Sequence, residues 1–200
     1  MVFATFFACF RLQKLLKSGI INMLIKCKQF GGNKMFDIGD EVVYGTHGIC
    51  KVSSVTAMVT GKEKRDYFVL NPIFDKRSVF YVPKNNERLT AQIRCLHSVE
   101  EINKMIDSIA NDHLTWIDDD SKRKDFCSSV IKGGNTADIL KLIEMLYARH
   151  KELCAAKKHF HVSDERFLRD AERLVNDEFA YVLKIEPEDV SDYIRKRLFG

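Results

Sequence analysis

Ile49-Cys50-Lys51-Val52-Ser53-Ser54-Val55-Thr56-Ala57-Met58-Val59-Thr60 is the stretch that decides the fold. Apolar residues fall at Cys50 and Val52 and then at Val55, Ala57 and Val59, so the two-residue alternation of a half-buried strand changes phase between Ser53 and Ser54. A β-bulge produces that slip and bends the strand carrying it. Outward from this run, Val42–Tyr44 reads as a preceding strand. Gly61-Lys62-Glu63-Lys64 reads as a polar connection into Asp66–Leu70, with Asn71-Pro72 ending it. Ser78–Val82 and Ile93–Leu96 complete about five short strands. The expectation is a small SH3- or Tudor-like β-barrel.

Beyond Ser98 the apolar period lengthens to that of helices. Ile102, Met105, Ile106 and Ile109 mark a helix over Val99–Ala110. Asp118–Lys132 is a second, stopped by Gly133-Gly134. Thr136 is expected to cap a third, whose apolar face runs from Ile139 to Tyr147. A fourth starts at Ser163 and carries Phe167 to Leu183, and Pro187 opens a fifth over Glu186–Leu198. The chain therefore reads as α+β, with a leader over 1–34, a barrel over 35–97 and an all-helical domain of about five helices over 98–200.

Charge is distributed unevenly. Six of the 32 Lys/Arg and none of the 28 acids lie in residues 1–34, which leaves 26 basic against 28 acidic residues in the remainder. Any nucleic-acid contact must then be local, and Lys122–Lys158, with nine basic and four acidic residues, is the place for it. The apolar run Val2–Phe10 is too short to span a bilayer, has no positive charge before it and no small-residue cleavage site after it, so neither a membrane anchor nor a secretory signal is expected. Gly31-Gly32-Asn33-Lys34-Met35 back-translates to a purine-rich ribosome-binding tract ahead of a start codon. The biological chain is expected to begin at Met35, and residues 1–34 are otherwise expected to be a disordered or loosely helical tail.

The six cysteines stand apart without a C-x-x-C pair and read as reduced cytoplasmic thiols. Cys154, His159 and His161 lack a second ligand pair at useful spacing, so no metal is expected. No nucleophile–base pattern stands out, no catalytic residue is assigned, and no cofactor is implied.

Ile38-Gly39-Asp40-Glu41-Val42-Val43-Tyr44-Gly45-Thr46-His47-Gly48, with Tyr67-Phe68-Val69-Leu70 and Val82-Pro83, resembles the polymerase-interacting domain of the CarD/CdnL family of bacterial transcription regulators. The similarity runs from about Met35 to the C-terminus. The transcription-repair coupling factor, a helicase, shares this domain, but the chain lacks a G-x-x-x-x-G-K-[ST] loop for nucleotide phosphates. The resemblance implies that the barrel pairs an exposed strand with the β subunit of RNA polymerase by β-augmentation. Val55–Thr60 and Ser78–Val82 are the matching surface. Relatives carry arginines there, whereas this chain offers Met58 and Tyr81, apolar chemistry suited to an interface core.

The resemblance further implies that Trp116, the only tryptophan, wedges into the minor groove of promoter DNA at the edge of the transcription bubble and stabilises the open complex. Lys122, Arg123 and Lys124 would hold phosphates beside it, with Lys132 and Arg149 as further DNA-binding candidates and Lys151, Lys157 and Lys158 as weaker ones. Relatives place basic residues directly after the tryptophan, where Asp118-Asp119-Asp120 stand here. The expected molecule is a monomeric cytoplasmic regulator. The competing reading is a non-enzymatic adaptor with Trp116 in its core.

Overall fold

The computed structural model describes residues 29–30, 33–34, 36–60, 63–109 and 113–199. Most of the leader, including Phe3–Arg11 and Met35, lies outside the described residues. Its end carries a two-residue ladder, β1 (Gln29–Phe30) with β2 (Asn33–Lys34).

The sheet comprises β3 (Glu41–Tyr44), β4 (Ile49–Thr60), β5 (Glu63–Pro72), β6 (Phe80–Pro83) and β7 (Ile93–Cys95), all antiparallel, in the order β6-β5-β4-β3-β7. The phase slip in β4 is real. Val52 pairs with Leu70 and Ser54 with Val69, leaving Ser53 as the extra residue, its hydroxyl bonded to the Val69 carbonyl at 3.0 Å. On one face Val42, Tyr44, Cys50, Val52, Phe68, Leu70, Val82 and Ile93 form a core with Phe36.

The expected barrel does not close. β6 and β7 are opposite edges of the sheet, and the chain between them is spent on the short helix α1 (Glu87–Thr90), with no β6–β7 ladder among the described residues.

The helices follow as α2 (Val99–Ile109), α3 (Asp120–Gly133), α4 (Thr136–Ala155), α5 (Val162–Leu183) and α6 (Val190–Phe199). Gly134 ends α3 in the left-handed region, φ 68°, as its lack of a Cβ permits. Two details differ from the pattern-based reading. Asn135, not Thr136, caps α4, its side chain accepting from the backbone of Ala137 and Asp138, and that frees Thr136 for a buried bond described below. The segment opened by Pro187 is a 3-10 turn, Pro187–Asp189, before α6 begins.

Cys50, Cys127 and Cys154 are free thiols, but Cys95 is disulfide-bonded, which corrects the expectation of six reduced cysteines. Among the described residues no helix is long and apolar enough to cross a membrane.

Sheet and bundle are joined by a buried ion cluster. Arg94 of β7 donates two hydrogen bonds to Glu178 of α5, to Oε1 at 2.7 Å and Oε2 at 2.6 Å. It also donates to the Thr136 hydroxyl at 2.8 Å, and that hydroxyl lies 3.3 Å from Glu178 Oε2. The His97 backbone N–H donates to Glu178 Oε1, and its ring Nδ1 lies 2.8 Å from the same atom. Glu178 is 2% exposed.

Burial by itself would raise the Glu178 carboxyl. Hydrogen bonds from Arg94 and His97, with the charges of both, outweigh it and hold the pKa at about 2. Two further pins run along α5: Arg173 reaches the Thr46 carbonyl at 3.4 Å, and Tyr181 hydrogen-bonds Glu41.

Because the folded-state value lies below the usual 4.5, the stability contributed by Glu178 is present above about pH 4.5 and lost as pH falls toward 2. Glu178→Gln should flatten the stability–pH curve in that window. In chemical denaturation at neutral pH it should cost about 3 kcal/mol, since it leaves the partly buried Arg94 guanidinium without its counter-charge. An unchanged midpoint would show the cluster to be dispensable.

Candidate nucleic-acid interface

The segment leading into α3 carries Trp116. Asp119 caps the helix, its carboxylate accepting from the Lys122 N–H at 2.9 Å. Asp120 binds Arg123 at 2.8 Å and Lys124 at 2.6 Å. The hydrogen bond from Lys124, ahead of the nearby positive charges, holds the Asp120 carboxyl below its ordinary range. Two of the three aspartates are thus engaged internally, and the like-charge barrier to phosphate is smaller than the sequence suggests.

Trp116 is half-buried. Its ring packs against the helical core, and two guanidinium groups lie over it, Arg123 at 4.6 Å and Arg149 at 5.2 Å from the centroid. Both distances are within cation–π range. The two arginines differ in commitment.

Arg123 is 5% exposed and uses its whole guanidinium: Nε toward both oxygens of Asp164, Nη1 to the carbonyls of Ile117 and Asp118, Nη2 to Asp120. This corrects its assignment as a phosphate contact. Arg123 heads the buried stripe Arg123, Cys127, Ile131 of α3, so its side chain points inward and fixes the Trp116 segment from beneath.

Among the described residues Arg149, at 36% side-chain exposure, ion-pairs only with Glu152 at 3.0 Å, and its buried Nε has no hydrogen-bond partner. Lys122 is exposed and Lys124 partly so. Trp116 with Arg149 over its ring, and Lys122 and Lys124 on either side of Arg123 in α3, with Lys124 held by Asp120 at 2.6 Å, are the candidates that remain.

Lys132 is not among them. Eight residues beyond Lys124, it lies about 12 Å further along α3 by helical rise, beside Gly45, Arg94 and Asn135 at the junction with the sheet.

On the sheet, alternation puts Phe80 inward, against His47 at 4.2 Å between ring centroids, and Tyr81 outward at 52% exposure. His47 also stacks on Tyr44 at 5.3 Å, a packing role in accord with the absence of any catalytic assignment. Met58 is 40% and Val59 73% exposed. β3 pairs only with the first residues of β4, Ile49 to Lys51, so beyond the bulge Val55–Val59 have β5 on one side and no strand on the other among the described residues. β6 is the other open edge.

The sequence reading missed Asp164, Glu178 and Arg94. Their signal was available as acids at core positions: Asp164, Leu168, Ala171, Val175, Glu178 and Val182 follow one helical stripe of α5.

An open sheet with bare edges, braced to a bundle that displays an indole among cations, is the frame of a macromolecule-binding protein. Residues 36–95 match the family model described as CarD-like/TRCF RID domain, a span that takes in the sheet through its last strand. The sheet unit, residues 36–95, is thus similar to the CarD-like/TRCF RID domain, a match that points to a transcription-related, RNA polymerase-interacting role. No curated protein matches the chain.

If Arg123 fixes the Trp116 segment, Arg123→Ala should lower stability by about 3–5 kcal/mol, because Asp164 is left as an uncompensated buried charge. It should also shift tryptophan emission to longer wavelength. Arg149→Ala should change emission while lowering the unfolding free energy by no more than about 1 kcal/mol, as for a half-buried side chain with one exposed ion pair.

Proposed function

We propose that this chain is a monomeric, cytoplasmic bacterial transcription regulator that docks on the β subunit of RNA polymerase through its sheet and stabilises the promoter open complex through Trp116. The observation that carries the reading is the contrast around the indole. Arg123 holds it rigidly from the core side, while Arg149, also over the ring, is tied only to Glu152 among the described residues and Lys122 stands exposed in the first turn of α3, able to meet phosphate.

The outer half of β4, paired with β5 on one side only among the described residues, supplies on its other side backbone N–H and C=O groups that a polymerase strand can complete, with Met58 and Tyr81 as apolar flanks. In the bundle, Arg149 gives up one exposed ion pair and its place over the ring to contact the DNA backbone. The uncovered indole then stacks against an unstacked step and offers its N–H to a minor-groove acceptor. Melted DNA gains this contact and closed duplex does not, so the equilibrium moves toward the open state by differential binding alone. No bond is made or broken, and no cofactor or metal takes part.

A contact worth about 1.4 kcal/mol changes the open-state population tenfold. Trp116→Ala should accordingly shorten open-complex lifetime on a ribosomal promoter about tenfold, while leaving retention on polymerase intact. Tyr81→Glu should abolish retention on polymerase and, with it, the longer open-complex lifetime. Equal lifetimes for Trp116→Ala and the parent would remove the wedge.

The packing of Trp116 on the helical core supports a second reading, an adaptor in which the ring is an anchor of the fold. Fork DNA that quenches the tryptophan decides for the wedge, and a protected, blue-shifted emission decides for the adaptor.

A further inference from the structure

Away from Trp116, α3 and α5 enclose a groove of about 720 Å³ whose end is closed by Thr46 of the sheet unit. We propose that it docks an acidic amphipathic helix from a protein partner. Four cations and one acid, Asp170, line it: Lys124, which also pairs with Asp120 at 2.6 Å, and Lys132 from α3, with Arg166 and Arg173 from α5, while Ile131, Phe167 and Leu174 give it an apolar floor.

Lys132 has no ion-pair partner among the described residues. The Arg166 and Arg173 pairs, to Asp170 at 3.9 Å and Asp177 at 3.8 Å, are long contacts between neighbours on one helix. Such exposed pairs are worth little and exchange readily for an incoming carboxylate.

The spacing selects the occupant. Lys124 and Lys132 are eight residues apart and Arg166 and Arg173 seven, which places the cations on each wall about two helical turns, 10–12 Å, from one another. A helix with carboxylates two turns apart on both flanks and an apolar stripe between them meets both rows and the floor together. A two-turn helical segment, about 11 Å long and 10 Å across, is also comparable in size to the groove.

A phosphodiester backbone would satisfy the rows and leave Ile131, Phe167 and Leu174 facing charge. The chain's own residues 1–34, with six basic residues and no acid, carry the wrong sign. Because Thr46 and Arg173 touch across the end of the groove, an occupant also contacts both units.

The probe is a labelled synthetic helix of about 20 residues, long enough to hold its fold, with Leu at core spacing and Glu on both flanks. A scrambled peptide of equal composition is the control, and anisotropy is read with the full chain. The designed helix should bind at least tenfold more tightly than the scramble. Arg166→Glu and Lys132→Glu, both at exposed positions, should each weaken it about tenfold, whereas Lys76→Glu on the sheet unit and Trp116→Ala should leave it within twofold.

Equal binding of the scramble, or unchanged binding in the two groove variants, overturns the proposal. So does duplex DNA that displaces the peptide and loses affinity in the same variants, which would make the groove a nucleic-acid site. Self-association that disappears in Arg166→Glu would assign it to a second copy. The Trp116→Ala arm separates failure here from failure of the open-complex reading.

Discussion

A carboxylate with no access to water holds the two halves of this protein together. Glu178 lies within the apolar stripe of α5, where an unpaired charge would be prohibitive, and it is tolerated because Arg94, His97 and Thr136 satisfy both of its oxygens. Arg94 supplies the paired N–H donors that a carboxylate best accepts. A buried ion pair adds little net stability relative to apolar packing, but it fits in only one geometry. Apolar faces could slide over one another by a residue. The Arg94–Glu178 pair cannot, so it sets where the bundle sits against β7 and hence where the free strand edges stand relative to Trp116.

Arg123 repeats the same logic at the other end of α5. Asp164 and Glu178 lie fourteen residues apart on one helix face, each buried at 2% exposure and each answered by an arginine from another element. One pair positions the sheet, the other the segment that carries the indole. Together they fix the distance between the open strand edges and the indole, as the proposed arrangement of polymerase on the sheet and DNA on the bundle requires.

The strand and helix periods, the bulge at Ser53 and the glycine stop after α3 were all legible in local pattern, because each is decided within a few residues of chain. Closure of the barrel was not. It depends on whether β6 and β7 meet, which no residue of either strand encodes alone. The Asp118–Asp120 run looked hostile to DNA because a sequence shows charges and not their partners, and Arg123 looked like a phosphate ligand for the same reason.

From the linear sequence come the element order, which rests on short-range spacing and residue type, the family resemblance carried by Ile38–Gly48, and Trp116 as the residue to watch, which only that resemblance implies. Tertiary structure alone decided which charges are spent internally. It buried Arg123, left Lys122 outside, separated Lys132 from the tryptophan, and paired Arg94 with Glu178 across 84 positions. The physical reason is that the energy of a charge depends on the dielectric and the counter-charge around it, and both are supplied by segments far away in the chain.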